Sequence, residues 1–140
     1  TTRPGSVTTI VVLLTFVGMG GLYGGTCMIL APDGRLLGME NVVSILPTHD
    51  LTVPGLMLVS TFGLLPLLLA YGLLRRWSRV DVSLLLFCMV LAAWLAGQSV
   101  FIGFVWPIQW MTAAVGLAIA CLVLLPSTRA YIRAPQRTDA

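Results

Sequence analysis

The chain has 140 residues, 58% of them hydrophobic and only 9% charged, with a formal net charge of +3. A mean hydropathy of +0.98 excludes an ordinary water-soluble domain. All eight cationic residues are arginine and lie in short terminal and connecting segments, so they build no folded basic platform and imply no nucleic-acid partner.

Four apolar stretches follow one another, at about residues 7–31, 51–74, 80–104 and 111–125. A hydrocarbon core of about 30 Å is crossed by roughly 20 apolar residues of helix. The expected fold is therefore all-α, a four-helix transmembrane bundle forming one membrane domain over residues 1–140.

The first stretch is too long for a signal-peptide core, and Arg3 is its only charged lead-in, so it reads as a retained span. It contains two overlapping GxxxG pairs, Gly20/Gly24 and Gly21/Gly25. Glycines four apart share a helix face and let a second backbone approach, which matters where lipid supplies no hydrophobic drive between helices. Packing within the chain is the first expectation and homodimerisation through the glycine face the alternative. After this span, Pro32-Asp33-Gly34 predicts a tight turn. Leu36, Leu37, Met39, Val42, Val43, Ile45 and Leu46 then recur at helical spacing, as in an amphipathic outer loop lying in the membrane interface until Pro47.

The second span opens near Pro54, with Asp50 or Thr52 available to cap it. Pro66 lies deep inside and deprives the Phe62 carbonyl of its usual donor, which predicts a kink. The third span offers the small-residue pairs Ala92/Ala96 and Ala93/Gly97, and the fourth offers Ala114/Ala118 and Gly116/Ala120. Cys88 and Cys121 come to similar depth, about 10–12 Å from the inner ends, but no CxxC spacing occurs and buried apolar thiols are expected. One histidine and three cysteines assemble no metal set, and no cofactor is implied.

Seven arginines (Arg3, Arg75, Arg76, Arg79, Arg129, Arg133, Arg137) fall on one side of this topology and only Arg35 on the other. Cationic residues in short loops stay cytoplasmic, which predicts both termini inside, and the absence of lysine, a bias toward arginine codons as in a GC-rich bacterial genome, points to a bacterial cytoplasmic membrane. The spans hold no ionisable residue apart from ambiguous ends such as Asp81, which counts against proton-coupled transport and leaves a passive pathway open.

Polar and aromatic groups collect toward the outer half. Tyr23 lies about 12 Å from the outer end of its span and Gln98 about 9 Å from the outer end of its own, so the two are expected to meet if those helices are neighbours. Trp94, Trp106, Gln109 and Trp110 belong to the same zone. One reading is structural: interfacial tryptophans and a glutamine cross-linking helices. The other is a pocket for a hydrophobic small molecule or lipid, lined by Tyr23, Trp94, Gln98, Trp106 and Gln109. A catalytic version has His49 as base, oriented by Asp50 or Glu40, but lacks an evident serine or cysteine nucleophile nearby.

Gly21-Leu22-Tyr23-Gly24-Gly25, Pro32-Asp33-Gly34, Leu37-Gly38 and Val53-Pro54-Gly55, with Trp94, Gln98 and Trp106-Pro107-Ile108-Gln109, resemble the pattern of a group of small four-span bacterial membrane proteins of no established activity. The resemblance implies a four-helix fold and carries over no substrate or site. Taken together, the sequence predicts an integral membrane protein that binds a hydrophobic ligand or lipid in its outer half, or a small subunit alongside a partner membrane protein. A homodimeric transporter or channel is the alternative, and a small membrane enzyme acting on a lipid-soluble substrate a further one.

Overall fold

The computed structural model describes residues 4–36, 43, 50–102 and 107–134. Helix α1 covers Gly5–Leu30. The second span is one rod in three parts: α2, Thr52–Val59, a π-helical turn, Ser60–Leu64, and α3, Leu65–Leu74. Helix α4 runs over Val80–Ile102, α5 over Pro107–Val123 and α6 over Pro126–Arg133. Every regular element among the described residues is helical. The interfacial helix expected over residues 36–46 lies outside the described residues, apart from Leu36 and Val43.

Among the described residues three helices are long and apolar enough to cross a membrane, Gly5–Leu30, Thr52–Leu74 and Val80–Val100, and the bent pair Gln109–Val123 and Pro126–Arg133 makes a fourth if it counts as one span. Large apolar side chains project outward from all of them, among them Val12, Phe16, Leu68, Leu86 and Met89. A protein surrounded by water rarely leaves such continuous apolar surface, whereas lipid welcomes it. Two hydroxyls on the outward face of α1 bond to their own helix, Thr9 to the Gly5 carbonyl and Thr15 to the Val11 carbonyl, each at 2.8 Å. That is how a hydroxyl survives where no water is present.

The fourth span departs from the expected 111–125. Helix α5 begins earlier, at Pro107, and ends at Val123 after 17 residues, about 25 Å of rise. Leu125 is extended (φ −65°, ψ 141°) because it precedes Pro126, and α6 leaves at 64° to the end of α5.

The elements pack in a ring. The second span lies against α1, α1 against α5, α5 against α4, and α4 returns to α3 through the lightest of the four seams. Val7, Ile10, Leu14, Leu73, Leu84, Phe87, Ile119 and Val123 form the core. Glycine sets the α1 seam. A Cβ at Gly21 would strike the Phe62 carbonyl, and one at Gly25 would come within 2.7 Å of the Gly55 carbonyl. The expected intramolecular use of Gly21/Gly25 is therefore real. A Cβ at Gly20 or Gly24 would meet nothing within 4 Å, because both positions face away from that seam. Ala93 and Gly97 are exposed as well, and a Cβ at Gly97 would meet nothing within 4 Å.

Pro66 disturbs the helix where expected, near Phe62, but as a π turn in a continuous rod and not as the expected kink. The backbone widens to a π turn, with the Leu65 N–H reaching back to the Ser60 carbonyl, so the missing proline donor is accommodated without breaking the rod. The Pro32-Asp33-Gly34 turn also forms. Gly34 (φ 81°) donates to the Ala31 carbonyl at 3.0 Å and Arg35 N–H donates to Asp33 Oδ1 at 3.1 Å.

Candidate functional site

Two side-chain assemblies stand out, at opposite ends of the bundle. In the half away from the α3–α4 loop, Gln109 Nε2 on α5 donates to Gln98 Oε1 on α4 at 3.2 Å, and Gln109 is 2% exposed. One turn from Gln98, the Trp94 ring lies 5.4 Å from Phe62 of the π turn, and Phe62 lies 6.1 Å from Phe87. The glutamine pair joins α4 to α5 and the aromatic ladder joins α4 to the second span.

Tyr23 takes no part in this. It is 69% exposed, and Gln98 has Gln109 as its partner, so the expected meeting of Tyr23 and Gln98 does not occur. The reason is helical geometry: position 23 lies about 200° around the helix from both Gly21 and Gly25, and those two occupy the buried face. Trp110 is exposed. Trp106, Glu40 and His49 lie outside the described residues. Asp50 is described, and its carboxylate accepts the Thr52 N–H at 3.1 Å, which secures the start of α2. Cys88 Sγ donates to the Gly116 carbonyl at 3.6 Å, Cys121 faces outward, and Cys27, Cys88 and Cys121 are free thiols. No three His, Cys, Asp or Glu side chains converge among the described residues.

The second assembly has no counterpart among the sequence expectations. A lateral groove of about 370 Å³ lies along the light seam between α3 and α4. Leu65, Leu68 and Leu69 form one wall, and Val80, Ser83, Leu86, Phe87 and Val90 form the other. Trp77 and Ser78, from the turn joining the two helices, close its end. The sequence signal is the 80/83/87/90 stripe on α4, which ordinary core packing would produce equally well.

Local backbone chemistry fixes that turn. Arg76 N–H donates to the Leu73 carbonyl at 3.1 Å and Trp77 N–H to the Gly72 carbonyl at 2.9 Å, the two bonds of a Schellman motif. The Trp77 ring then covers Gly72, where a Cβ would come within 2.5 Å of Cε3. Arg76 (φ 53°) and Arg79 (φ 60°) both hold left-handed backbone, a conformation that glycine adopts at lower cost. Arg75 Nε donates to the Tyr71 hydroxyl at 3.0 Å, and Tyr71 meets Trp77 edge-on at 5.6 Å.

Helix α6 docks beside this turn. The Tyr131 hydroxyl donates to the Leu74 carbonyl at 3.2 Å, and the Arg76 guanidinium sits 5.5 Å from the Tyr131 ring centre. Thr128 Oγ1 donates to Ser6 Oγ at 2.8 Å, tying the C-terminal helix to the first turns of α1. The start of α1, the α3–α4 turn and α6 therefore share one end of the bundle. Among the described residues that end carries Arg75, Arg76, Arg79, Arg129 and Arg133 against the single acid Asp81.

The fold and this arrangement define a membrane protein built on long apolar helices. The chain matches no family model, no curated protein and no solved structure.

Proposed function

We propose that this chain is a four-span protein of a bacterial cytoplasmic membrane, with both termini inside, that holds a lipid-like hydrophobic molecule against its bundle. It acts as a binding protein, alone or as a small subunit. The observation that carries the reading is the α3–α4 groove: about 370 Å³, lined almost wholly by apolar side chains, within the usual range of small-molecule sites. Its outer rims, Leu68, Leu86 and Val90, are themselves exposed, so a chain in the surrounding lipid reaches it sideways. The gathering of five described arginines at one end supports the orientation, and the resemblance to small four-span bacterial membrane proteins supports the source.

The open faces of Gly20 and Gly24 favour a second reading, a homodimer that serves as a transporter or channel. One measurement addresses both. Mass spectrometry of the protein extracted gently from its native membrane reads subunit mass and retained small molecules together. The expected result is a stoichiometric hydrophobic ligand that is lost when Leu86→Trp fills the groove and kept in Gln98→Leu. A wild-type protein carrying no ligand, or a Leu86→Trp protein carrying it undiminished, would remove the groove as a binding site. A ligand-free dimer would leave the second reading in its place.

A further inference from the structure

Resting on that reading, we infer that the groove's occupant is an anionic phospholipid of the arginine-side leaflet. One acyl chain lies between α3 and α4, and the phosphate sits at Ser78, Arg79 and Ser83.

Length comes first. The α4 wall runs from Val80 to Val90, ten residues and about 15 Å of helical rise. That is about half of a 30 Å hydrocarbon core, so the groove is as long as one leaflet is deep. It starts at the α3–α4 turn, where a headgroup would lie, and ends near the expected midplane. A soluble metabolite would have no reason to match that dimension.

Polarity comes second. Along the groove every lining side chain is apolar except Ser78 and Ser83, and both belong to the end at the turn. Ser83 Oγ makes only a long bond, 3.4 Å, to the Arg79 carbonyl, so its hydroxyl is weakly engaged and available to a better acceptor. Ser78 is exposed. A phosphate at this mouth would gain two hydroxyl donors below a tryptophan, the residue type that prefers the headgroup level.

Charge comes third. Arg79 stands between the two serines in the turn and is exposed, and Arg75 and Arg76 precede it. Asp81 is the one described acid at this end. Arg76 is taken up by the Tyr131 ring, which leaves Arg79 as the exposed cation held at positive φ, a backbone that glycine adopts at lower cost. A cationic side chain kept at backbone cost points to a use for the charge, and an anionic headgroup at the mouth supplies one. A zwitterionic lipid would satisfy the groove but not the arginines.

The test compares lipids competing for one protein. The full chain is reconstituted in vesicles of equimolar phosphatidylglycerol and phosphatidylcholine with matched acyl chains, extracted gently, and the retained lipid is read by native mass spectrometry. Wild type is expected to retain phosphatidylglycerol over phosphatidylcholine by at least about fivefold, the discrimination one arginine near a membrane surface provides. Arg79→Gln is expected to keep a bound lipid and lose most of that preference. Arg133→Gln, on α6, is expected to leave the preference intact. Leu86→Trp is expected to lose both lipids.

The outcomes separate the two claims. Equal retention of both lipids by wild type, or a preference unaltered by Arg79→Gln, overturns the headgroup assignment while groove binding stands. An equal loss of preference in Arg79→Gln and Arg133→Gln also overturns it, by reducing the effect to general surface charge. Lipid retained undiminished by Leu86→Trp overturns the groove itself.

Discussion

A methyl group at Gly21 would be driven into the Phe62 carbonyl, whereas one at the adjacent Gly20 would meet no atom within 4 Å. The two substitutions make a controlled pair, equal in chemistry and in helix propensity. Gly21→Ala forces two backbones apart and should cost about 1–3 kcal/mol, as overpacking does in a close-packed core. Gly20→Ala should be neutral, or stabilise by up to about 1 kcal/mol through helix propensity. The midpoint of unfolding in a mixed mild-detergent and dodecyl sulfate titration checks both, and equal midpoints would refute the α1 seam. The glycines themselves are legible in the sequence. Which of the two overlapping pairs packs inside is not, because both satisfy the same spacing and only the position of Phe62 separates them. Tyr23 carries the same lesson. Its depth matches Gln98, but depth does not fix direction around a helix, and the buried Gly21/Gly25 face turns it outward.

Among the elements, α6 is the one that hydropathy misplaces. Apolar residues continue through Leu125, so a helix counted by hydropathy runs to that position, but Pro126 forces its predecessor extended and starts a new helix at 64°. The new element is then held by a few polar bonds, of which Tyr131 to the Leu74 carbonyl and Thr128 and Ser127 to Ser6 are tertiary. Tyr131→Phe removes the first while preserving the ring that Arg76 covers. A lost hydrogen bond of this kind is worth about 1 kcal/mol, so amide hydrogen exchange over Pro126–Arg133 should quicken about fivefold while α1 and α4 are unchanged. Unaltered exchange in α6 would mean that the hydroxyl contributes nothing to docking. The second span is partly written in the sequence, since Pro66 predicts a kink near Phe62 and a π turn lies there instead, within a continuous rod. The form of the disturbance depends on what packs outside it. Phe62 has Gly21 behind its carbonyl and Trp94 and Phe87 around its ring, and a widened turn keeps the rod continuous past all three.

For the whole molecule, orientation is the property that most directly tests the proposed place in the membrane. The hydroxyl bonds between Ser6 and Thr128, and the Tyr131 bond to Leu74, put the start of α1, the α3–α4 turn and α6 at one end, while Asp33 lies in the turn that follows the other end of α1. In a background with Cys27, Cys88 and Cys121 replaced, Asp33→Cys should react with a membrane-impermeant maleimide in intact cells. Ser78→Cys and Ser127→Cys should react only after the inner face is opened. Labelling of Ser78→Cys in intact cells would invert the assignment, and different behaviour of Ser78→Cys and Ser127→Cys would contradict the shared end. The sequence by itself determined that the chain is helical, that it is made for lipid and, within two residues, where its first three spans begin, because length and hydropathy depend on no partner. It also marked the arginine-bearing segments, since charge is expensive in hydrocarbon wherever the helices go. Only the tertiary structure decided that Gln98 bonds to Gln109, that Tyr23 faces outward and that a groove opens between α3 and α4. Those depend on how each helix is rotated against its neighbours, and in a chain apolar on nearly every face the sequence holds little amphipathic signal to set that rotation.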